Sequence, residues 1–488
     1  MTRLTLAGAS AALALRSGTA SAAETGVELG TYSDHWAGWL CLAIFAAGLI
    51  VASLEEFTGL RKSKPMVLAA GAIWAVIAWV GVQSGQAQAT EAAVRQNLLQ
   101  YVELMVFLLV AMTYVNAMDE RRVFAALRGW IVSRGYTFRQ LFWVSGATSF
   151  LLSPLLENLT TAILMGAIVL ASAGAHPRFV ALAFVNIVVA VNAGGAFSPF
   201  GDLTTLMVWQ QNIQTPQGPV GFASFLALAA PALLAFLIPA LLMQRALPSG
   251  TPGSGGEPIA MRRGARRILV LFLATIATAV VFQGVLHLPA AIGMATGLSY
   301  LQFFGFFLKK THRAGEGAGA DEERLGGPIP LTDGGGPFDV FDRIARVEWD
   351  ALFFLYGAAM SVGGLAYLGY LSLSSEIMYS QWGPLAANLG IGALSAVVEN
   401  VPAMLAVLAM TPDMPLGHWL LVTLTAGTGG SLLAIGSAAG VALMSQSRGT
   451  YTFFAHLRWT PVIALGWAAA VLAHLWINAS LFRAVAGT

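Results

Sequence analysis

The chain has 488 residues, 57% of them hydrophobic and only 10% charged, with a formal net charge of +2. A soluble domain carries about 25% charged residues, so the composition excludes a soluble globular protein and points to an integral membrane protein. The near-neutral balance provides no basic stripe for nucleic acid, and the single cysteine, Cys41, excludes a disulfide framework or a thiolate metal centre.

In chain order, residues 1–22 read as a secretory signal, because Arg3 precedes an apolar run and Ala20-Ser21-Ala22 supplies small residues for cleavage. A membrane helix needs about 20 apolar residues. The segments 35–54, 66–84, 99–118, 178–208, 221–245, 265–285, 287–309, 349–372, 416–445 and 457–485 meet that length. Two further apolar stretches, 140–174 and 384–410, are interrupted in the middle by polar residues. Their arms of about 13–17 residues fall short of a hydrocarbon core of roughly 30 Å, which predicts re-entrant hairpins.

The expected fold is an all-α polytopic membrane protein with about ten full spans and two hairpins. Its first repeat covers 35–245, with hairpin 140–174 and a broken helix over 178–208. A cytoplasmic linker, 246–264, leads to a second repeat over 265–485, with hairpin 384–410 and a broken helix over 416–445. An odd number of spans separates the hairpins, so the second enters from the opposite side and the repeats are inverted. Basic residues agree with this. Of the 26 lysines and arginines, all but Arg3, Arg16, Arg95 and Arg483 fall in the expected inner loops, with both mature termini outside. Trp36, Trp209, Trp349, Trp382, Trp419 and Trp459 fall at span ends, as in an aromatic belt. The loops 249–258 and 314–337 are rich in glycine and read as flexible, and no Gly-Lys-Ser/Thr follows the first to suggest phosphate binding.

Two motifs are duplicated. Ser153-Pro-Leu-Leu-Glu157-Asn158 recurs as Ser395-Ala-Val-Val-Glu399-Asn400, each at the middle of a hairpin. Downstream, Gly194-Gly195 in the first half and Gly429-Gly430 in the second fall inside apolar helices, where they are expected to break the helix and free backbone carbonyls. The carboxylates placed inside the membrane are Glu157, Asp202 and Glu399, and every lysine and arginine is assigned to a loop, a span end or the signal segment. An unpaired carboxylate in a low dielectric must be protonated or hold a cation, and these are the two halves of a proton/cation exchange cycle. Asn158, Asn192, Thr204 and Thr205 in the first half, with Asn400, Thr428, Ser431 and Ser437 in the second, supply oxygen ligands suited to a hard cation. Glu103, near the outer end of the third span, reads as a solvated or peripheral pH-responsive acid.

The strings SPLLENLTTAILMG, NAGGAFSPFGDLTT, SAVVENVP and GTGGSLLAIGSAAG, together with the Arg61–Pro65 loop, resemble the signature regions of NhaD-type sodium/proton antiporters of the ion transporter superfamily. The resemblance covers essentially the mature chain, and the Gly201-Asp202-Leu203-Thr204-Thr205 string is its specific part. It implies a transport domain of hairpins and broken helices moving elevator-like against a dimeric scaffold in the bacterial inner membrane. It also implies exchange of sodium or lithium for protons, with no cofactor beyond the transported ions. The family pattern usually has Asp-Asn where this chain has Glu157-Asn158 and Glu399-Asn400, a departure shared by both halves. The alternative within transport is a symporter or exporter of an organic or oxyanion substrate, of dicarboxylate or arsenite type, against which the three acids argue. A membrane-embedded hydrolase finds no Gly-x-Ser-x-Gly or His-Glu-x-x-His string to support it.

Overall fold

The computed structural model describes residues 33, 35–252, 259–311 and 338–483. The expected signal segment, part of the 249–258 loop and all of the 314–337 loop lie outside the described residues. The long helices are α1 (Trp36–Ser53), α2 (Ser63–Gln83), α3 (Ala87–Glu120), α4 (Phe138–Leu156), α5 (Asn158–Ala173), α6 (Pro177–Gly195), α7 (Leu203–Gln210) and α8 (Ala229–Met243). After the 253–258 gap come α9 (Ala265–Gly284), α10 (Ala290–Lys310), α11 (Trp349–Tyr367), α12 (Pro384–Val398), α13 (Asn400–Met410), α14 (Leu416–Gly429), α15 (Ala438–Gln446) and α16 (Thr460–Ile477). A two-stranded ribbon pairs Gln214–Thr215 with Gly218–Pro219. The protein is an all-α, multi-pass membrane protein.

Nine helices among the described residues are long and apolar enough to cross a membrane, and they match nine of the ten expected segments. The tenth, 416–445, is divided into α14 of 14 residues and α15 of 9 residues. The matching first-half segment breaks after the 19 residues of α6 and resumes as the 8-residue α7. In each of the two interrupted stretches a pair of helices meets at the glutamate. Their arms are 19 and 16 residues in the first and 15 and 11 in the second, so α4 is longer than expected. Thr137 makes this possible by capping α4 in a reciprocal pair with Gln140, which satisfies two otherwise orphan donors.

α6 is the centre of the fold. Nearly every residue from Phe179 to Gly195 is buried, as required of a helix that is apolar on all sides. α4 packs along α6, and α12 along α14. The halves then interlock: α7 lies against α13 and α14, while α15 lies against α5 and α6. The second arm of each broken helix therefore touches the hairpin of the other half. Around this centre, α2 packs on α1 and α11, and α3 on α10 and α11.

Two tryptophans depart from the belt expectation. Trp36, Trp349 and Trp382 are exposed, but Trp209 and Trp419 are buried. Trp209 sits edge-on to Phe107 and Phe222, an aromatic packing that removes it from any membrane surface.

Candidate cation site

Each hairpin turns on a single residue, and that residue is the duplicated glutamate. Glu157 has φ 66°, ψ 153°, and Glu399 has φ 72°, ψ 146°. This region is open to glycine and costs any other residue about 1–3 kcal/mol. The same strained conformation at a glutamate recurs at both tips. The glycine pairs act differently from the sequence expectation. α6 and α14 do end at Gly195 and Gly429, but none of Gly194, Gly195, Gly429 and Gly430 has a positive φ. What they provide is space: a Cβ on Gly195 would lie 2.8 Å from the Gly201 carbonyl, and one on Gly430 would lie 2.8 Å from that of Gly436. Each break folds back on its own helix end, and only a missing side chain permits the approach.

The hairpin serines hold the tips to these breaks. Ser153 Oγ lies 2.7 Å from Val191 O, and Ser395 Oγ donates to Ala426 O at 2.9 Å. Beyond them the halves cross-link. Asn400 Nδ2 donates to Asp202 at 2.9 and 3.3 Å, and Asn192 Nδ2 lies 3.0 Å from Ser431 Oγ and 3.1 Å from Ser437 Oγ. Thr204 Oγ1 donates to Asp202 Oδ2 at 3.0 Å. Two buried polar groups result, each built from both halves: Asp202 with Thr204 and Asn400, and Asn158 with Asn192, Ser431 and Ser437.

The hydroxyls of Thr205 and Thr428 donate to backbone carbonyls. Thr205 Oγ1 donates to the carbonyls of Ser198 (2.8 Å) and Asp202 (2.7 Å), which braces the loop instead of facing the carboxylate. The Thr428 hydroxyl hydrogen is taken by Leu424 O in its own helix, the ordinary fate of a threonine in an apolar helix.

The amides of Asn158 and Asn192 carry the chemistry that matters most. The terminal atoms of Asn158 lie 2.7 Å from Ser153 Oγ, 2.9 Å from Gly201 O and 3.2 Å from Asn192 Oδ1. With the Asn192 nitrogen on the two serines, either orientation of Asn158 leaves two carbonyl-type oxygens face to face, with Gly201 O or with Asn192 Oδ1. Turning both amides satisfies every group.

The Glu157 carboxylate makes no hydrogen bond or ion pair among the described residues, and with Asp202 and Thr160 it lines a cavity of ≈ 30 Å³. That leaves room for a water-sized occupant against two carboxylates. A larger cavity, ≈ 600 Å³, lies between α3, α11, α13 and the end of α7, lined in part by Gln96, Gln100, Glu103, Gln210 and Tyr367. Glu103 belongs to this cavity and not to the cluster.

The expectation that all three acids lack a base is corrected at Glu399. Lys62, from the Arg61–Pro65 loop, places Nζ 2.9 and 3.2 Å from the two Glu399 oxygens. Sequence position assigned this lysine to a loop, and only the tertiary packing of α2 on α11 brings it to the hairpin tip. His456 was also missed. It is buried, with Nε2 2.8 Å from Ser431 O and Nδ1 2.6 Å from the Tyr451 hydroxyl, so a neutral imidazole supports the second break from behind.

Comparison with known proteins shows the family. The family model described as "Citrate transporter" (CitMHS) matches residues 6–427. The "Na(+)/H(+) antiporter NhaD" of Alkalimonas amylolytica is 52% identical over 456 residues, 91% of this chain and 92% of that protein. The chain belongs to the NhaD family. The NhaD antiporter of Vibrio cholerae is likewise 52% identical, over 455 residues covering 91% of this chain and 93% of its own. "Sodium/proton antiporter 1" of Arabidopsis thaliana is 30% identical over 461 residues, 90% of this chain and 72% of that protein. Membership in the NhaD family matches the resemblance carried by the duplicated Glu-Asn motifs and the Gly201–Thr205 string.

Proposed function

We propose that the protein exchanges sodium, or lithium, for protons across the bacterial inner membrane. The observation that carries this reading is the cross-linked cluster at the two helix breaks, where Asp202 and Glu157 face one small cavity and no lysine or arginine pairs with either among the described residues. Deprotonated, the two carboxylates attract a cation at the cavity they line with Thr160, and Asn158, Asn192, Ser431 and Ser437 supply further oxygens at the helix breaks. Protonated, they release it. One site that holds either species, never both, couples the two fluxes.

In the cycle we propose, the two halves are inverted repeats, and the hairpins and broken helices move together against the α1–α3 and α9–α11 scaffold. The ≈ 600 Å³ cavity is the outer approach to the site, and the scaffold dimerises. The names of the relatives support the sodium/proton assignment. An anion carrier, which the family model's description raises, requires cationic groups facing the substrate, and Lys62 is already engaged by Glu399.

In everted vesicles energised by respiration, sodium is expected to dissipate the pH gradient, increasingly as pH rises and protons compete less. Asp202→Asn is expected to abolish the response. Absence of any sodium or lithium response from neutral to alkaline pH overturns the reading.

A further inference from the structure

The two hairpin tips have the same backbone shape but different electrostatic partners. Glu157 makes no ion pair among the described residues, whereas both oxygens of Glu399 are within hydrogen-bond distance of Lys62 Nζ, at 2.9 and 3.2 Å. The ammonium also stands over the Phe354 ring on α11, 4.4 Å from its centroid. Two carboxylate oxygens on one side and an aromatic face on the other make a monovalent cation shell. The occupant is part of the protein, held at the N-cap of α2.

We propose that Lys62 is a tethered counter-cation that occupies the second half-site, withholding Glu399 from the transported ion and confining exchange to Asp202 and Glu157. The inference deepens the exchange reading and rests on it. It accounts for the asymmetry of the cluster. Asn400, the neighbour of Glu399, is turned across to Asp202 in the first half, while Glu399 is committed to the lysine.

The surroundings keep the pair made. Besides Glu399, Lys62 feels Glu55 at the end of the first span and Asp350 at the start of α11, and it acts on Glu348 and on Glu157 at the other tip. Arg61 is the further cation nearby, acting on Glu55. Ser63 Oγ donates to Asp350 Oδ1, which holds the start of α2 to α11 and so fixes the origin of the lysine side chain. These acids favour the charged ammonium against the cost of its burial.

The test uses the purified full chain in proteoliposomes, with sodium-driven proton movement followed from neutral to alkaline pH. In Lys62→Met the abandoned Glu399 carboxylate takes up a proton of its own. The pH dependence of exchange is therefore expected to steepen by about one proton. Lys62→Arg is expected to keep the wild-type slope. The double variant Lys62→Met with Glu399→Gln leaves no unpaired charge, and removing both members of a pair is far milder than removing one, so its slope should return and its rate lie within about threefold of wild type. The double variant also decides the matter if Lys62→Met alone does not fold.

A double variant that folds but moves no protons in response to sodium overturns the inference, because Glu399 would then be a coupling group itself. An unchanged slope in Lys62→Met overturns it equally. Wild-type protein with no sodium response overturns the exchange reading, and only with that response intact do the variants speak to Lys62 alone.

Discussion

Asn400→Ala probes the contact on which the two-half site depends. Asn400 Nδ2 is the donor that the second half sends to Asp202, at 2.9 Å from Oδ2, and both side chains are buried. A hydrogen bond to a charged group contributes about 1.5–3 kcal/mol, because the partner left behind has no water to replace it. The bond favours ionised Asp202, the form that takes a cation, over the protonated form. Its loss should therefore weaken apparent sodium affinity at neutral pH by roughly 10- to 100-fold, at about 1.4 kcal/mol per decade. Raising the pH removes the competing proton, so the deficit should shrink on the alkaline side. The assay is the sodium concentration giving half-maximal proton release in proteoliposomes, measured across pH, with Thr428→Val as the control, because its hydroxyl is committed to Leu424 O. A deficit of the same size at every pH refutes proton competition at Asp202. Unchanged sodium affinity refutes the cross-half contact itself.

Glu157→Gly should separate stability from transport. It relieves a φ of 66° that costs about 1–3 kcal/mol, offset in part by the greater freedom of glycine in the unfolded chain. The detergent-solubilised variant should melt higher than wild type while exchange falls at least about tenfold; a lower melting temperature contradicts the strain argument. His456 lies in the short helix Phe453–Leu457, outside the membrane spans, where burial lowers its pKa from 6.5 to about 4 despite its hydrogen bond to Ser431 O. The folded state then holds fewer protons than the unfolded chain below pH 6.5, so this group's stabilisation is full above 6.5 and declines as pH falls toward 4. His456→Gln should flatten that acid limb in a thermal melt across pH, and an unaltered limb removes His456 as its cause.

Much of this was legible in the sequence because membrane proteins write their rules in composition. A run of about 20 apolar residues has to become a helix, since no other local structure satisfies the backbone in hydrocarbon. The duplicated Glu-Asn strings located both hairpin tips, and the glycine pairs located both helix breaks. The reason assigned to the glycines was incomplete. Their positions follow from the close approach of Gly195 to Gly201 and of Gly430 to Gly436, contacts that exist only once the breaks have folded back. Thr205 and Thr428 matched the ligand pattern by residue type, yet each hydroxyl bonds a backbone carbonyl. Residue type sets what an oxygen can do, and rotamer and neighbours set where it points.

The chain order determined the class of protein, the hairpins, the breaks and the acids available to the site. Which of these meet was decided by packing between the halves. Asn400 reaches Asp202, Asn192 reaches Ser431 and Ser437, and Lys62 reaches Glu399, each across a large separation in sequence. Hydropathy and spacing act over a few turns of helix, so they carry no information about such pairs. The charge of Glu399 is the clearest instance. Read along the chain it has no base, and in the folded protein the N-cap residue of α2 provides one.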